Sequence, residues 1–151
     1  MKQLQIDENK ARSLFKNADP AFKQMLIDSF GEKFFSEKIV VRIKDFDDIL
    51  REAGLSKFPR RDEETDDEFN YRKAKLITKV INEGWTPDWE NGNQAKWYAW
   101  FKIGGGFPFG DTYYVFTYSS ACVGSRLCFS SDEKARFAAI TFIDIYKGLL
   151  N

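Results

Sequence analysis

The sequence contains no histidine. That absence removes Ser-His-Asp and Cys-His nucleophile activation and every histidine-bearing zinc site. Only two cysteines are present, Cys122 and Cys128, too few for a four-cysteine zinc site. On an extended segment they would lie roughly 20 Å apart at about 3.3 Å per residue, whereas a disulfide needs Cα atoms within about 7 Å. Without a sharp turn at Gly124 they cannot pair, and two reduced, half-buried thiols packed as small hydrophobes are expected. No apolar run reaches the roughly 18–20 residues that span a bilayer. The opening residues, Met1 to Glu8, lack the apolar core of a signal peptide, so a cytoplasmic protein with no membrane partner is expected. Net charge is also missing, with 23 basic side chains against 23 acidic ones. Neutrality offers no bulk attraction to duplex DNA or an anionic membrane. Gly104 to Gly110 is rich in glycine but has no Lys-Ser/Thr ending and no helical pattern after it, so it is not a phosphate-binding fingerprint. No catalytic residue, metal-ligand set or cofactor motif emerges.

What is present is apolar and aromatic: 43% of the 151 residues are hydrophobic and 17% are Phe, Trp or Tyr. That content excludes a disordered chain and suits one domain with a substantial core. The first half reads as short helices. Ala11, Leu14 and Phe15 share one side of a helix over 8–17. Asp19-Pro20 supplies an N-cap and an N1 proline for a helix carrying Phe22, Met25, Leu26 and Phe30 up to Gly31. The β-branched run Ile39 to Ile43 predicts a short strand. Asp45 caps a helix with Phe46, Ile49, Leu50 and Ala53 that Gly54 ends.

Residues 57–75 hold six basic and six acidic side chains, basic first, then acidic, then basic. Such blocks read as a solvated loop leading into an exposed helix face, with a docking surface as the alternative. Thr65 and Glu68 have capping-box spacing, and periodic apolar residues run from Phe69 to Ile81. Residues 85–118 then contain all four tryptophans and 12 of the 25 aromatic residues, with only five charges. Lys96 to Ile103 and Asp111 to Tyr118 alternate as strands joined by the glycine-rich turn. Val123 to Phe129 predicts a third strand. Ser130 with Glu133 predicts a capping box for a last helix, whose buried stripe is Ala135, Ala138, Ala139, Phe142, Tyr146 and Leu149. The expectation is a single α+β domain over 1–151. It comprises a helical part (1–56), a charged loop (57–68), a helix (69–84) and an aromatic hairpin, third strand and C-terminal helix (85–151). A small antiparallel sheet of about three strands would be packed by the C-terminal and N-terminal helices.

Four segments carry a resemblance. They are Phe30-Gly31-Glu32-Lys33-Phe34-Phe35-Ser36, Arg42-Ile43-Lys44-Asp45-Phe46-Asp47-Asp48, Asn82-Glu83-Gly84-Trp85-Thr86-Pro87-Asp88-Trp89 and Val123-Gly124-Ser125-Arg126-Leu127-Cys128-Phe129. Together they resemble a group of small uncharacterised proteins encoded by phages, prophages and mobile elements of gut bacteria. The resemblance runs from about residue 11 to 150 and departs from the pattern at 57–68 and at the hairpin tip. It implies an accessory protein acting inside an infected or lysogenic bacterial cell. It carries over no activity and no site residue.

Three constellations remain as candidate ligand-binding residues. Along Lys96 to Ile103, alternation puts Trp97, Ala99, Phe101 and Ile103 on one face and Lys96, Tyr98, Trp100 and Lys102 on the other. The second face sets two rings between two ammonium groups, suited to stacking bases and meeting phosphates; core packing is the competing reading. At the hairpin tip, Phe107 and Phe109 either fold back over the sheet or bind something. Arg126, among small residues on a continuous strand, calls for an anion, either Asp88, Glu90 or Asp111 or a ligand. Asp88 and Glu90 could in principle pair as carboxylates for acid–base chemistry, but nothing in the sequence converges on them.

These readings order three functions. A non-enzymatic module binding a nucleotide or single-stranded nucleic acid comes first. A module binding a host or phage protein, with self-association open, comes second. A histidine-free, carboxylate-dependent enzyme comes third. On the first reading, removing Lys96 and Lys102 together weakens a phosphate-bearing ligand and its salt sensitivity.

Overall fold

The computed structural model describes residues 6–102, 109–115 and 125–150, with the side chains at 109, 111–115, 125 and 150 excepted. The chain divides into two compact units, Met1–Arg42 and Ile43–Asn151.

In the first unit, local capping sets each helix. Asp7 accepts the Lys10 N–H (2.8 Å) to start α1, Glu8–Asn17, and Asp19 accepts the Phe22 N–H (2.9 Å) to start α2, Pro20–Phe30. Gly31, at φ 85°, ends α2 by donating to the Ile27 carbonyl (2.7 Å) and opens α3, Glu32–Ser36. Phe15 stacks on Phe35 at 4.1 Å, and Phe34 meets Phe35 edge-on at 4.9 Å. Arg12 lies 3.6 Å above the Phe34 ring and donates to the Phe34 carbonyl, joining the helices through one aromatic and cationic cluster. The expected strand at 39–43 is instead α4, Ile39–Arg42. A strand would bury residues 39, 41 and 43 together. Here Ile39 and Ile43 are buried while Val41 is 58% exposed, which is helical spacing.

The second unit opens with α5, Phe46–Glu52, capped by Asp45, and α6, Asp66–Ile81, which begins with the Thr65/Glu68 capping box. Two strands follow, β1 at Lys96–Phe101 and β2 at Phe109–Val115, paired antiparallel from Lys96↔Val115 to Trp100↔Asp111. The register shifts between Trp100 and Phe101, leaving Gly110 as the extra residue of a bulge. A Cβ on Gly110 would stand 3.1 Å from the Trp100 carbonyl, so glycine is what fits there. The chain closes with α7, Asp132–Thr141, and α8, Ile143–Leu150. α7 packs on both strands and α8 on α6, where Gly148 brings the helices together because a Cβ would run into the Asn70 amide.

The α+β expectation is overturned. The protein is mostly helical, and pairing among the described residues amounts to one two-stranded ribbon and one isolated bridge, not a three-strand sheet. The expected third strand lies partly outside the described residues, and its remainder is a 3-10 turn at Ser125–Leu127 followed by a single bridge, Trp97↔Phe129. Trp97 and Phe129 exchange both backbone hydrogen bonds, at 3.0 and 2.8 Å. On the far side of that bridge, Asn82 donates its side-chain N–H to the Cys128 carbonyl (2.9 Å) and accepts the Ser130 N–H (3.0 Å). Its amide thus occupies the groups a neighbouring strand would pair, and the ladder stops there.

The last helix also differs from expectation. Ser131, not Ser130, is its N-cap, accepting the Lys134 N–H at 3.3 Å. Phe142, at φ −114° and ψ 29°, breaks the helix into α7 and α8. Ala135, Ala138, Ala139, Phe142 and Tyr146 are buried as the periodicity predicts, whereas Leu149, the last of that stripe, is half-buried.

Asn82 is 5% exposed and holds two backbone groups. Asn82→Ala strands both of them, at about 1–3 kcal/mol for each buried group left unsatisfied. Urea unfolding should show a destabilisation of about 2–4 kcal/mol with an unchanged m-value; a loss below about 0.5 kcal/mol would contradict the clamp.

Candidate binding surface on the hairpin

The two faces of β1 are set by what each side chain meets. Phe101 turns to the helices, its ring 5.1 Å from that of buried Tyr146. Trp97 and Ala99 are half-buried on the same strand. On the alternate positions the structure separates four residues that the sequence grouped together. Trp100 is 57% exposed, Lys102 is exposed, Tyr98 is half-buried, and Lys96 is fully buried.

Lys96 is the main correction. Its ammonium donates to the carbonyls of Asn91 (3.2 Å) and Gln94 (3.0 Å) and lies 5.4 Å from the centre of the Trp89 ring. Two neutral acceptors and an aromatic face replace the water it has lost, and among the described residues no carboxylate pairs with it. A lysine so enclosed fixes the 88–95 loop to the start of β1 and is not available to a ligand. The loop is tied elsewhere as well. The Asp88 N–H donates to the Gln94 side-chain oxygen (2.7 Å), and the Asp88 carboxylate accepts the Glu90 N–H (3.0 Å). Asp88 therefore serves the turn, and Glu90 is exposed beside it.

The other candidates divide. Phe107 and the side chain of Phe109 lie outside the described residues, and the backbone of Phe109 pairs with Phe101 across the bulge. Arg126 does not sit on a strand: it is in the 3-10 turn, exposed, with no ion pair to Asp88 or Glu90 among the described residues. Cys128 is a buried thiol packed as a small hydrophobe, and Cys122 lies outside the described residues. The surface that remains is Trp100 with Lys102, flanked by Tyr98. The Lys102 stem passes 3.3 Å from where a Cβ on Gly110 would stand, so the bulge glycine also makes room for it. Among the described residues no three carboxylate or thiol groups converge to hold a metal, and no helix is long and apolar enough to cross a membrane.

Sequence reasoning missed the order within the charge block. Arg72 pairs with Glu64 (2.5 Å) and also donates to the Pro59 carbonyl (2.8 Å), while the Glu64 carboxylate accepts the Arg61 N–H (3.0 Å). The guanidinium lies 4.7 Å from the Phe58 ring centre, and Lys73 lies 4.2 Å from that of Phe69. Phe58 in turn meets Phe46 at 5.5 Å and Phe69 at 5.9 Å. Cations layered on three rings, with Glu64 enclosed beneath, make the block a fastening of its loop onto α5 and α6. A shallow depression of about 390 Å3 beside Glu64, Glu68, Tyr71 and Arg72 is lined by these already paired groups. The available signal was the presence of Phe46, Phe58 and Phe69 in and beside a block that also carries Arg60, Arg72 and Lys73.

Burial pushes the Glu64 carboxyl up, but the Arg61 N–H and the Arg72 guanidinium outweigh it and hold the pKa below the ordinary 4.5. A carboxyl depressed on folding contributes stability that is complete above its unfolded pKa and is lost as pH falls through the folded value. Glu64→Gln should therefore be less stable than the parent at neutral pH. The gap should close as pH drops below about 4.5, which thermal melts across the acid range will read. A gap constant with pH would contradict the pairing.

No family model, curated protein or solved structure matches the chain.

Proposed function

We propose that the protein is a non-enzymatic binding module that takes a nucleotide or a short single-stranded nucleic acid on the outward face of β1. The observation that carries this reading is Trp100, an indole more than half exposed on a strand whose other aromatic residues are partly or largely covered. An exposed indole is a flat apolar surface on which a base stacks for about 1–3 kcal/mol. Lys102, two residues on and also exposed, supplies a cation at a reach suited to the attached phosphate. With one ring and one cation in place of the two of each expected, affinity should be modest and should favour short ligands over duplex DNA. The resemblance of four segments to phage and mobile-element proteins supports placing this binding inside a bacterial cell.

A second reading is an interface for a protein partner, and the withdrawal of Lys96 is what favours it. The face is left more apolar than the sequence implied, and exposed tryptophan is a frequent anchor of protein interfaces.

Tryptophan fluorescence separates the two. Titration with a short oligonucleotide or a mixed nucleotide pool should give saturable quenching that weakens with salt. Trp100→Ala should weaken binding roughly 5- to 150-fold, and Lys102→Ala should lower the salt dependence. A flat titration, or quenching that survives Trp100→Ala, would overturn the nucleotide reading and leave the protein interface.

A further inference from the structure

We propose that Asn91–Gly92 is a site of spontaneous succinimide formation, activated by the buried ammonium of Lys96. It is the one Asn-Gly step in the sequence, and Asn91 is exposed to solvent in the turn before β1. Gly92 presents no Cβ to hinder approach of its nitrogen, and its N–H has no hydrogen-bond partner among the described residues.

The reaction has two demands, and the turn meets both. The Gly92 nitrogen must lose its proton before it attacks Cγ of Asn91. The resulting charge spreads onto the Asn91 main-chain oxygen, because that oxygen and the Gly92 nitrogen belong to one peptide group. This oxygen accepts hydrogen bonds from Lys96 Nζ (3.2 Å) and from the Gln94 N–H (3.2 Å). A cation and a second donor there favour the deprotonated form, and the enclosed setting strengthens both. Attack then places negative charge on Asn91 Oδ1, which already accepts the Asn93 N–H at 2.9 Å. That donor stands where the oxyanion develops.

The atoms balance with water as the only co-reactant. The Gly92 proton passes to solvent and the N–Cγ bond forms. The Asn91 side-chain nitrogen takes up a proton and leaves as ammonia, giving a five-membered imide. Water then adds to one imide carbonyl and one C–N bond breaks. Breaking the bond to Cγ yields aspartate. Breaking the bond to the main-chain carbon yields isoaspartate, in which the former main-chain carbonyl is a carboxylate. Lys96 polarises that second carbonyl and pairs with the carboxylate it becomes, so isoaspartate is the favoured product. The ammonium thereby gains a counter-charge in place of a neutral acceptor.

The test compares the intact folded protein with a free peptide spanning residues 88–95, both held at mildly alkaline pH. Mass spectrometry follows exchange of the side-chain nitrogen for oxygen, and isoaspartyl methyltransferase labelling counts the isoaspartate. Conversion in the protein should run several-fold faster than in the peptide, with a larger isoaspartate share. Among the described residues the positive-φ glycines are Gly31, Gly54 and Gly84, so Gly92→Ala imposes no left-handed strain and should suppress conversion with an unchanged circular dichroism spectrum. Conversion no faster than in the peptide, or an unaltered product ratio, would overturn the proposal. So would a Gly92→Ala protein that converts at the parent rate.

Discussion

A lysine ammonium enclosed by the protein has to be satisfied where it sits, and much of the second unit is arranged around that demand. Lys96 reaches back to the carbonyls of Asn91 and Gln94 and to the face of Trp89. Breaking such an arrangement strands a charge in a poor solvent, a larger effect than the loss of any exposed ion pair. The constraint fixes the 88–95 loop against the start of β1, and with it the phase of the strand. Once Lys96 is inside, Trp100 and Lys102 are the outward groups left at the far end, and the Asn91 peptide oxygen is held against a cation.

Two polar devices complete the frame. Asn82, just past the end of α6, closes the open side of the Trp97↔Phe129 bridge with its side-chain amide, so helix and ribbon are joined by hydrogen bonds as well as by apolar packing. Arg72 does a related job for the charged loop, joining Glu64, the Pro59 carbonyl and the Phe58 ring. In both cases a side chain on α6 or just past its end takes up backbone groups of a segment with little regular structure of its own. A mostly helical chain thereby holds a small ribbon and a long loop in place.

Much of this was legible locally. The caps at Asp19, Asp45 and Thr65 and the stop at Gly31 follow from short-range chemistry, and the structure has them where the residues imply. The buried stripe from Ala135 to Tyr146 followed from spacing alone. What failed depended on partners distant in sequence. Val123 to Phe129 has strand-like composition, but among its described residues Ser125–Leu127 coils into a 3-10 turn and only Phe129 bridges to β1, held from its other side by Asn82. Ile39 to Arg42 is β-branched and still helical, because burial of Ile39 and Ile43 outweighs a weak intrinsic preference. Alternation placed Lys96 beside Trp100 correctly along the strand, yet it contains no information about a loop folding over one end of a face. The candidate surface was therefore half legible: its aromatic residue and one cation were, and the burial of the other was not.

The central claim is that Lys96 is structural and enclosed while Lys102, just past the end of β1, faces solvent. Amine-reactive labelling of the native protein, read residue by residue by mass spectrometry, tests it without altering the sequence. Lys102 should label at the rate of an exposed lysine, and Lys96 should stay unlabelled until the protein is unfolded. Native-state labelling of Lys96 at the rate of Lys102 would contradict the account.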